Sequence, residues 1–170
     1  MLWQSAYVGV GSNLDEPALQ VPRALRALSQ LPQTRLVRHS SLYGSRPWGL
    51  AEQPDFVNAV AGLLTQLPVR GFFEALRALE KQLGRAPPEV RWGPRRIDLD
   101  LLLFDQTLLQ TPELTLPHPG VVSRSFVLYP LYEVAPGLRV PGGARIGELL
   151  ERVDASDLWR LDKQPITHGA

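Results

Sequence analysis

Apolar positions recur along this chain with two different periods, and the switches between them set the predicted order of elements. Ala6-Tyr7-Val8-Gly9-Val10-Gly11 alternates small and β-branched residues at the two-residue period of a strand. Leu19, Ala24, Leu25, Leu28 and Leu31 then follow a helical spacing that stops before Pro32. Ahead of them, Ser12-Asn13-Leu14-Asp15-Glu16-Pro17 supplies capping residues, acids and an early proline, the chemistry of a helix start. Arg35 to Tyr43 reads as a second strand. A loop rich in Gly and Pro runs on to Pro54, and Phe56 to Leu64 reads as a third strand. Pro68 opens a second helix with Phe72, Phe73, Leu76, Leu79 and Leu83 on its apolar stripe and Gly84 as its C-cap. Ile97 to Phe104 is the fourth strand, and its apolar run Leu101-Leu102-Leu103-Phe104 suits a buried central position.

The first 104 residues thus predict β-α-β-β-α-β, the split βαβ pattern of an α+β, ferredoxin-like sandwich. A C-terminal extension follows. It comprises a short hairpin near Gln106 to Leu109, a Pro-rich loop around His118, a helix from about Ser125 to Val134 and a second short helix, Ile146 to Val153. No repeat, linker or low-complexity tract divides the chain, so residues 1–170 are expected to form a single domain, with 161–170 as a loosely ordered tail.

Composition narrows the function. The 170 residues carry a net charge of +1, which provides no overall field for nucleic acid or a membrane surface. There is no cysteine, which excludes disulfides, zinc–thiolate sites and thiol nucleophiles. The N-terminus lacks the pattern of a signal peptide, and no apolar run approaches the ~20 residues that span a bilayer. A cytoplasmic enzyme or binding protein, expected as a monomer, is the default. Apart from Lys81 and Lys163 the positive charge is arginine, which favours bidentate grips on phosphate and carboxylate.

The densest chemistry lies in Trp92-Gly93-Pro94-Arg95-Arg96-Ile97-Asp98-Leu99-Asp100. Two aspartates at i and i+2 of a strand share one face, about 7 Å apart along the backbone. Two carboxylates so placed repel and resist burial unless a cation sits between them. Two Mg²⁺ ions would satisfy them, and Arg91, Arg95 and Arg96 supply positive charge for phosphates. The competing reading is the wet face of an edge strand, with the aspartates paired to those arginines. Gly9-Val10-Gly11 lacks the third glycine of a dinucleotide fingerprint, since position 14 is leucine, and no Gly-Lys-Ser/Thr marks a P-loop. Its glycines either let a neighbouring strand approach closely or bring backbone to a ligand. His118, between two prolines, reads equally as structural or as a partner of Arg124. Trp48, Phe56 and Trp92 are either packing residues or a stacking slot for a flat ring, with Asn58 reading its edge.

Taken in order, Gly11-Ser12-Asn13-Leu14, Pro47-Trp48-Gly49, Gln53-Pro54-Asp55-Phe56-Val57-Asn58, Gly84-Arg85, Arg91-Trp92-Gly93-Pro94-Arg95, Ile97-Asp98-Leu99-Asp100 and Leu116-Pro117-His118-Pro119 form a distinctive series. In these motifs the chain resembles the 6-hydroxymethyl-7,8-dihydropterin pyrophosphokinases of folate biosynthesis. The resemblance runs from about Ala6 to Pro141. It implies Mg-dependent transfer of pyrophosphate from ATP to the hydroxymethyl group of the pterin, with release of AMP. It implies Asp98 and Asp100 as ligands of two Mg²⁺, and Arg85 and Arg95 as catalytic arginines on the phosphates. Glu80, Arg85, Arg91, Arg95, Thr115, His118 and Arg124 are implied as ATP contacts. Ser45, Trp48, Phe56, Asn58, Trp92 and Phe126 are implied as the pterin pocket, with Trp92 and Phe126 sandwiching the ring.

Two positions depart from the family pattern. Pro87-Pro88 stands where many members carry a second loop arginine, and Arg96 replaces a common threonine, its side chain expected toward solvent. The alternatives are a Mg²⁺-dependent nucleotidyl or phosphoryl transferase on the same sandwich, and a ferredoxin-like RNA-binding module. The acidic sheet and the net charge of +1 argue against the module.

Overall fold

A computed structural model describes residues 2–47, 52–84 and 96–161. The elements in chain order are β1 (Gln4–Ser12), α1 (Pro17–Leu28), β2 (Thr34–His39), β3 (Tyr43–Ser45), β4 (Phe56–Thr65), α2 (Val69–Gln82), β5 (Asp98–Phe104), β6 (Leu109–Gln110), β7 (Thr115–Leu116), α3 (Ser125–Val134), α4 (Ile146–Leu150) and β8 (Leu158–Arg160). A 3₁₀ turn, Pro119–Val122, precedes α3. All pairings in the main sheet are antiparallel, in the order β5-β1-β4-β3-β8, with β2 also on β4. The βαββαβ order and the placement of β1 and β4 between their partners make this the ferredoxin-like sandwich.

Strand alternation divides the sheet into two unlike faces. Ala6, Val8 and Val10 of β1, Val57, Ala59, Ala61 and Leu63 of β4, and Leu99, Leu101 and Phe104 of β5 form one core with α1 and α2. From the helices it receives Val21, Ala24, Leu25 and Leu28, then Phe72, Leu76 and Leu79. Each Val, Leu or Phe side chain so buried contributes about 1.5–3 kcal/mol. A second core lies on the opposite face, where Val60, Leu102 and Leu103 meet Val127, Leu128, Leu131 and Val134 of α3 and Ile146 of α4.

A β-bulge lets β5 serve both cores. The register with β1 skips Leu102, passing from Tyr7↔Leu103 to Val8↔Leu101. The extra residue resets the alternation, so Leu102 and Leu103 both join the α3 face while Phe104 returns to the helix pair.

Several expectations are corrected. The second strand is two strands, β2 and β3, broken at Ser40, whose N–H donates to Val60 O (2.9 Å) and whose hydroxyl accepts from Val60 N–H (2.9 Å). β5 is an edge strand, not a central one; its apolar run comes from feeding two cores. The α1 stripe turns through Val21 and leaves Leu19 63 % exposed. That helix starts on Glu16 at φ 60 without a side-chain cap, and Asn13, three residues earlier, bonds to Gln53 and Pro54. The extension's hairpin pairs 109–110 with 115–116, beyond the turn at Asp105, and α4 stops at Leu150. Unforeseen, β8 adds to the edge of β3 with Trp159 lying on Gly44, where any Cβ would collide with the indole. Gly84 closes α2 at φ 92, as its sequence position suggests.

Candidate active site

Cross-strand register builds the site from the floor upward. On the face opposite α1 and α2, Asp98 pairs with Gly11 and Asp100 with Gly9. Gly11 pairs in turn with Asn58 on β4, and Asn58 with Tyr43 on β3. Cross-strand partners share a face, so two carboxylates stand on one side of a strip of bare backbone and an amide on the other. α3 covers the remaining end of this face and stops short of the glycines. The result is an open cleft of about 800 Å³, part of it solvent, bounded by Ser45, Phe56, Asn58, Asp98, Asp100, Arg124 and Phe126.

Each wall is set by its neighbours. Asn58 is buried and donates to Ser45 Oγ (2.7 Å), which turns its Oδ1 toward Gly11; a Cβ on Gly11 would lie 3.2 Å from that oxygen. Asn13 Nδ2 donates to Gln53 Oε1 (2.9 Å) and to Pro54 O (3.0 Å), tying the end of β1 to the chain that enters β4. Arg124 and Phe126 project from the start of α3, the guanidinium carbon 5.8 Å from the ring centroid. Arg46, also on the wall, pairs with Asp157 at 3.2 Å.

Electrostatics single out the acid pair. Burial, then the nearby Asp98 charge, push Asp100 up from 3.8 to about 7, against the pull of Arg77 and Arg124. A carboxylate so perturbed lacks positive charge. His118 is shifted the other way, below its ordinary 6.5, by burial and then by Arg124. Its Nδ1 accepts from Gly120 N–H (2.9 Å), so the neutral ring keeps its proton on Nε2 and offers a donor.

The sequence-predicted residues do not all converge. Ser45, Phe56, Asn58, Asp98, Asp100, Arg124 and Phe126 line one cleft. His118 flanks the outer edge of β5, its N–H donating to Leu102 O (2.9 Å). Thr115 lies on β7, away from the cleft walls. Glu80 lies behind β5, 2 % exposed. Its Oε2 accepts from Leu99 N–H (2.7 Å) and its Oε1 pairs with Arg77 Nη1 (3.1 Å). Trp48, Arg85, Arg91, Trp92 and Arg95, with Pro87 and Pro88, lie outside the described residues. Arg96 is exposed, as expected, and also ion-paired to Asp15 at 2.7 Å. Arg77 escaped the sequence reading; its signal was its place three residues before Glu80 on α2.

Comparison with known proteins identifies the family. The family model described as 7,8-dihydro-6-hydroxymethylpterin-pyrophosphokinase matches residues 7–136. The chain is 49 % identical over 158 residues to 2-amino-4-hydroxy-6-hydroxymethyldihydropteridine pyrophosphokinase of Pseudomonas aeruginosa, covering 93 % of this chain and 97 % of that one. It is 43 % identical to the protein of the same name from Haemophilus influenzae, covering 93 % and 98 %. Among solved structures, wild-type HPPK-DHPS of Plasmodium falciparum superposes with a TM-score of 0.68 at 12 % identity, over 89 % of this chain. That likeness concerns the fold, and this chain spans only 45 % of that longer one. With its family model matched across both halves of the sandwich and close relatives aligned over nearly their full length, the chain belongs to the 7,8-dihydro-6-hydroxymethylpterin-pyrophosphokinase family.

Proposed function

We propose that the cleft binds ATP and 6-hydroxymethyl-7,8-dihydropterin side by side, the phosphates over Asp98 and Asp100 and the pterin against Asn58. The chain is a pyrophosphokinase of folate biosynthesis. A bond forms between the hydroxymethyl oxygen and the β-phosphorus as the hydroxyl proton passes to solvent, the bond from that phosphorus to the α,β-bridging oxygen breaks, and AMP leaves. The observation that carries the assignment is the juxtaposition of two strand carboxylates with a hydrogen-bonded Asn58–Ser45 pair, separated only by Gly9 and Gly11.

The acid pair fits Mg²⁺. Its donors are hard oxygens, and the upward shift of Asp100 marks a place short of positive charge. Among the described residues no group of three or more His, Asp or Glu side chains is gathered. Two carboxylates therefore suit an ion that keeps water and substrate phosphate in its shell. Asp98 and Asp100 would hold two such ions, which when bound supply neutralisation of phosphate charge.

The other residues bind and orient. The Asn58 carbonyl oxygen, held by the amide's bond to Ser45, accepts from a pterin N–H. Phe56 and Phe126 present ring surface to the flat substrate, and the family resemblance adds Trp48 and Trp92 as ring contacts. Arg124 and the Nε2–H of His118 face phosphate oxygens, and Arg85, Arg91 and Arg95 add bidentate charge. Holding both reactants at attack distance carries most of the acceleration in such a transfer. No side chain is assigned as a general base.

The test is AMP release from ATP with and without the pterin, and with Mg²⁺ replaced by EDTA. Release that needs both pterin and metal supports the assignment. Pterin-dependent release that survives EDTA refutes the metal role, and release indifferent to pterin refutes the acceptor.

A further inference from the structure

We propose that Arg77 and Glu80 are positioning residues that set the Asp98–Asp100 pair by gripping the backbone of Leu99 from behind the strand. The inference rests on the metal role proposed for those aspartates and adds a new part to the machinery.

β5 is an edge strand, so among the described residues one row of its N–H and C=O groups has no neighbouring strand. Leu99 turns its polar groups toward that edge. Its N–H donates to Glu80 Oε2 (2.7 Å), and its carbonyl accepts from Arg77 Nη2. A carboxylate and a guanidinium on one helix, joined to each other at 3.1 Å, thus stand where a neighbouring strand would offer a carbonyl and an amide.

The two peptide units so held have particular importance. The Leu99 N–H belongs to the peptide plane that begins at Asp98, and the Leu99 carbonyl to the plane that ends at Asp100. Holding both planes sets the backbone dihedrals of Leu99 and so the relative placement of the Asp98 and Asp100 Cα atoms, from which the two carboxylates project. The Leu99 side chain is fully buried among α1 and α2 and anchors the same point from the apolar side. The pair brings opposite charges, so it supplies geometry without net charge. Glu80 reaches the strand and not the cleft, which separates this role from a nucleotide contact. Arg77 is braced in turn by Phe73, its guanidinium carbon 5.0 Å from the ring centroid.

The experiment uses the full chain with Glu80→Ala, Glu80→Gln and Arg77→Met. It reads exchange of the Leu99 amide by NMR, Mn²⁺ affinity with a non-hydrolysable ATP analogue by EPR, and kcat and KM for both substrates. In Glu80→Ala the Leu99 amide should exchange faster, and Mn²⁺ affinity and kcat should each fall about 10–100-fold, the size typical when a ligand loses its outer support. KM for the pterin should hold, because Asn58 and Ser45 lie on other strands. Glu80→Gln keeps an acceptor for Leu99 and should recover most of the loss. Should Glu80→Ala fail to fold, Arg77→Met carries the same expectation in weaker form, since Glu80 still holds the N–H. Wild-type Mn²⁺ affinity and kcat in a variant with a released Leu99 amide would overturn the proposal. So would a loss confined to KM for ATP. Asp98→Ala, run alongside, tests the metal role itself, while Leu99 exchange reports the grip independently of it.

Discussion

The two ends of one sheet face differ in what the same strands carry. Toward α3, β4 and β5 present Val60, Leu102 and Leu103, and the helix seals them with Leu128, Leu131 and Val134. Toward the cleft, the same strands with β1 present Asn58, Asp98, Asp100 and two glycines, and no helix among the described residues covers them. The first end is built for cohesion. The second keeps two carboxylates and bare backbone open to a ligand, at a cost in burial that the first end and the α1–α2 core offset. Stability and chemistry are thus segregated along the strands, within a few residues of each other.

The sharpest challenge to that division is Asp98→Ala. Pterin-dependent AMP release should fall at least about 100-fold, while the melting temperature holds or rises because a repulsive charge is gone. A variant that unfolds but stays active when folded would reverse the assignment of this end. The mirror experiment is Leu128→Ala, a fully buried site on α3. Unfolding in urea should show a loss of about 2–5 kcal/mol, with kcat of the folded protein kept. Loss of kcat without loss of stability would show that the covered end also serves the reaction.

Smaller effects refine the boundary. In Gly11→Ala the new methyl would press on Asn58 Oδ1 at 3.2 Å, whereas at Gly9 it would meet only Leu102 at an ordinary 3.6 Å. KM for the pterin should rise about 10-fold, or about 1.4 kcal/mol, for Gly11→Ala and less for Gly9→Ala. Equal effects would mean that the strip acts as floor space and not through Asn58. The smallest effect is one of pH. Without metal, Asp100 is pushed up from 3.8 to about 7, so the folded state keeps a proton that the unfolded chain has released. That contribution to stability is complete below about pH 4 and is lost as pH rises through about 7. Urea midpoints from pH 4 to 8 should decline in the wild type, and Asp100→Asn should remove the decline. Identical profiles would place its cause elsewhere.

Much of the molecule was legible in advance because the signals are local. Alternation and helical spacing are properties of neighbouring residues, and they marked β1, α1, β4, α2, β5 and α3 near their observed ends. That Asp98 and Asp100 share a face followed from strand parity. The errors fell where distant parts of the chain meet. An apolar run as dense as Leu101-Leu102-Leu103-Phe104 suggested a central strand, yet it sits at an edge, because a bulge against β1 divides it between two cores. The break at Ser40, the addition of β8 and the diversion of Asn13 from helix cap to loop anchor likewise depend on partners far along the sequence.

The sequence by itself determined the elements, the class of fold and the residue types available for chemistry, since side-chain period and conformational preference act over a few residues. Tertiary structure alone decided that Gly9 and Gly11 lie opposite the two aspartates and that α3 stops before covering them. It also decided that Glu80 and Arg77 meet the backbone of Leu99 behind the strand. Register and edge exposure are properties of paired strands, and a one-residue slip of β1 against β5 would leave every local pattern intact while moving the glycines to the other side of the sheet.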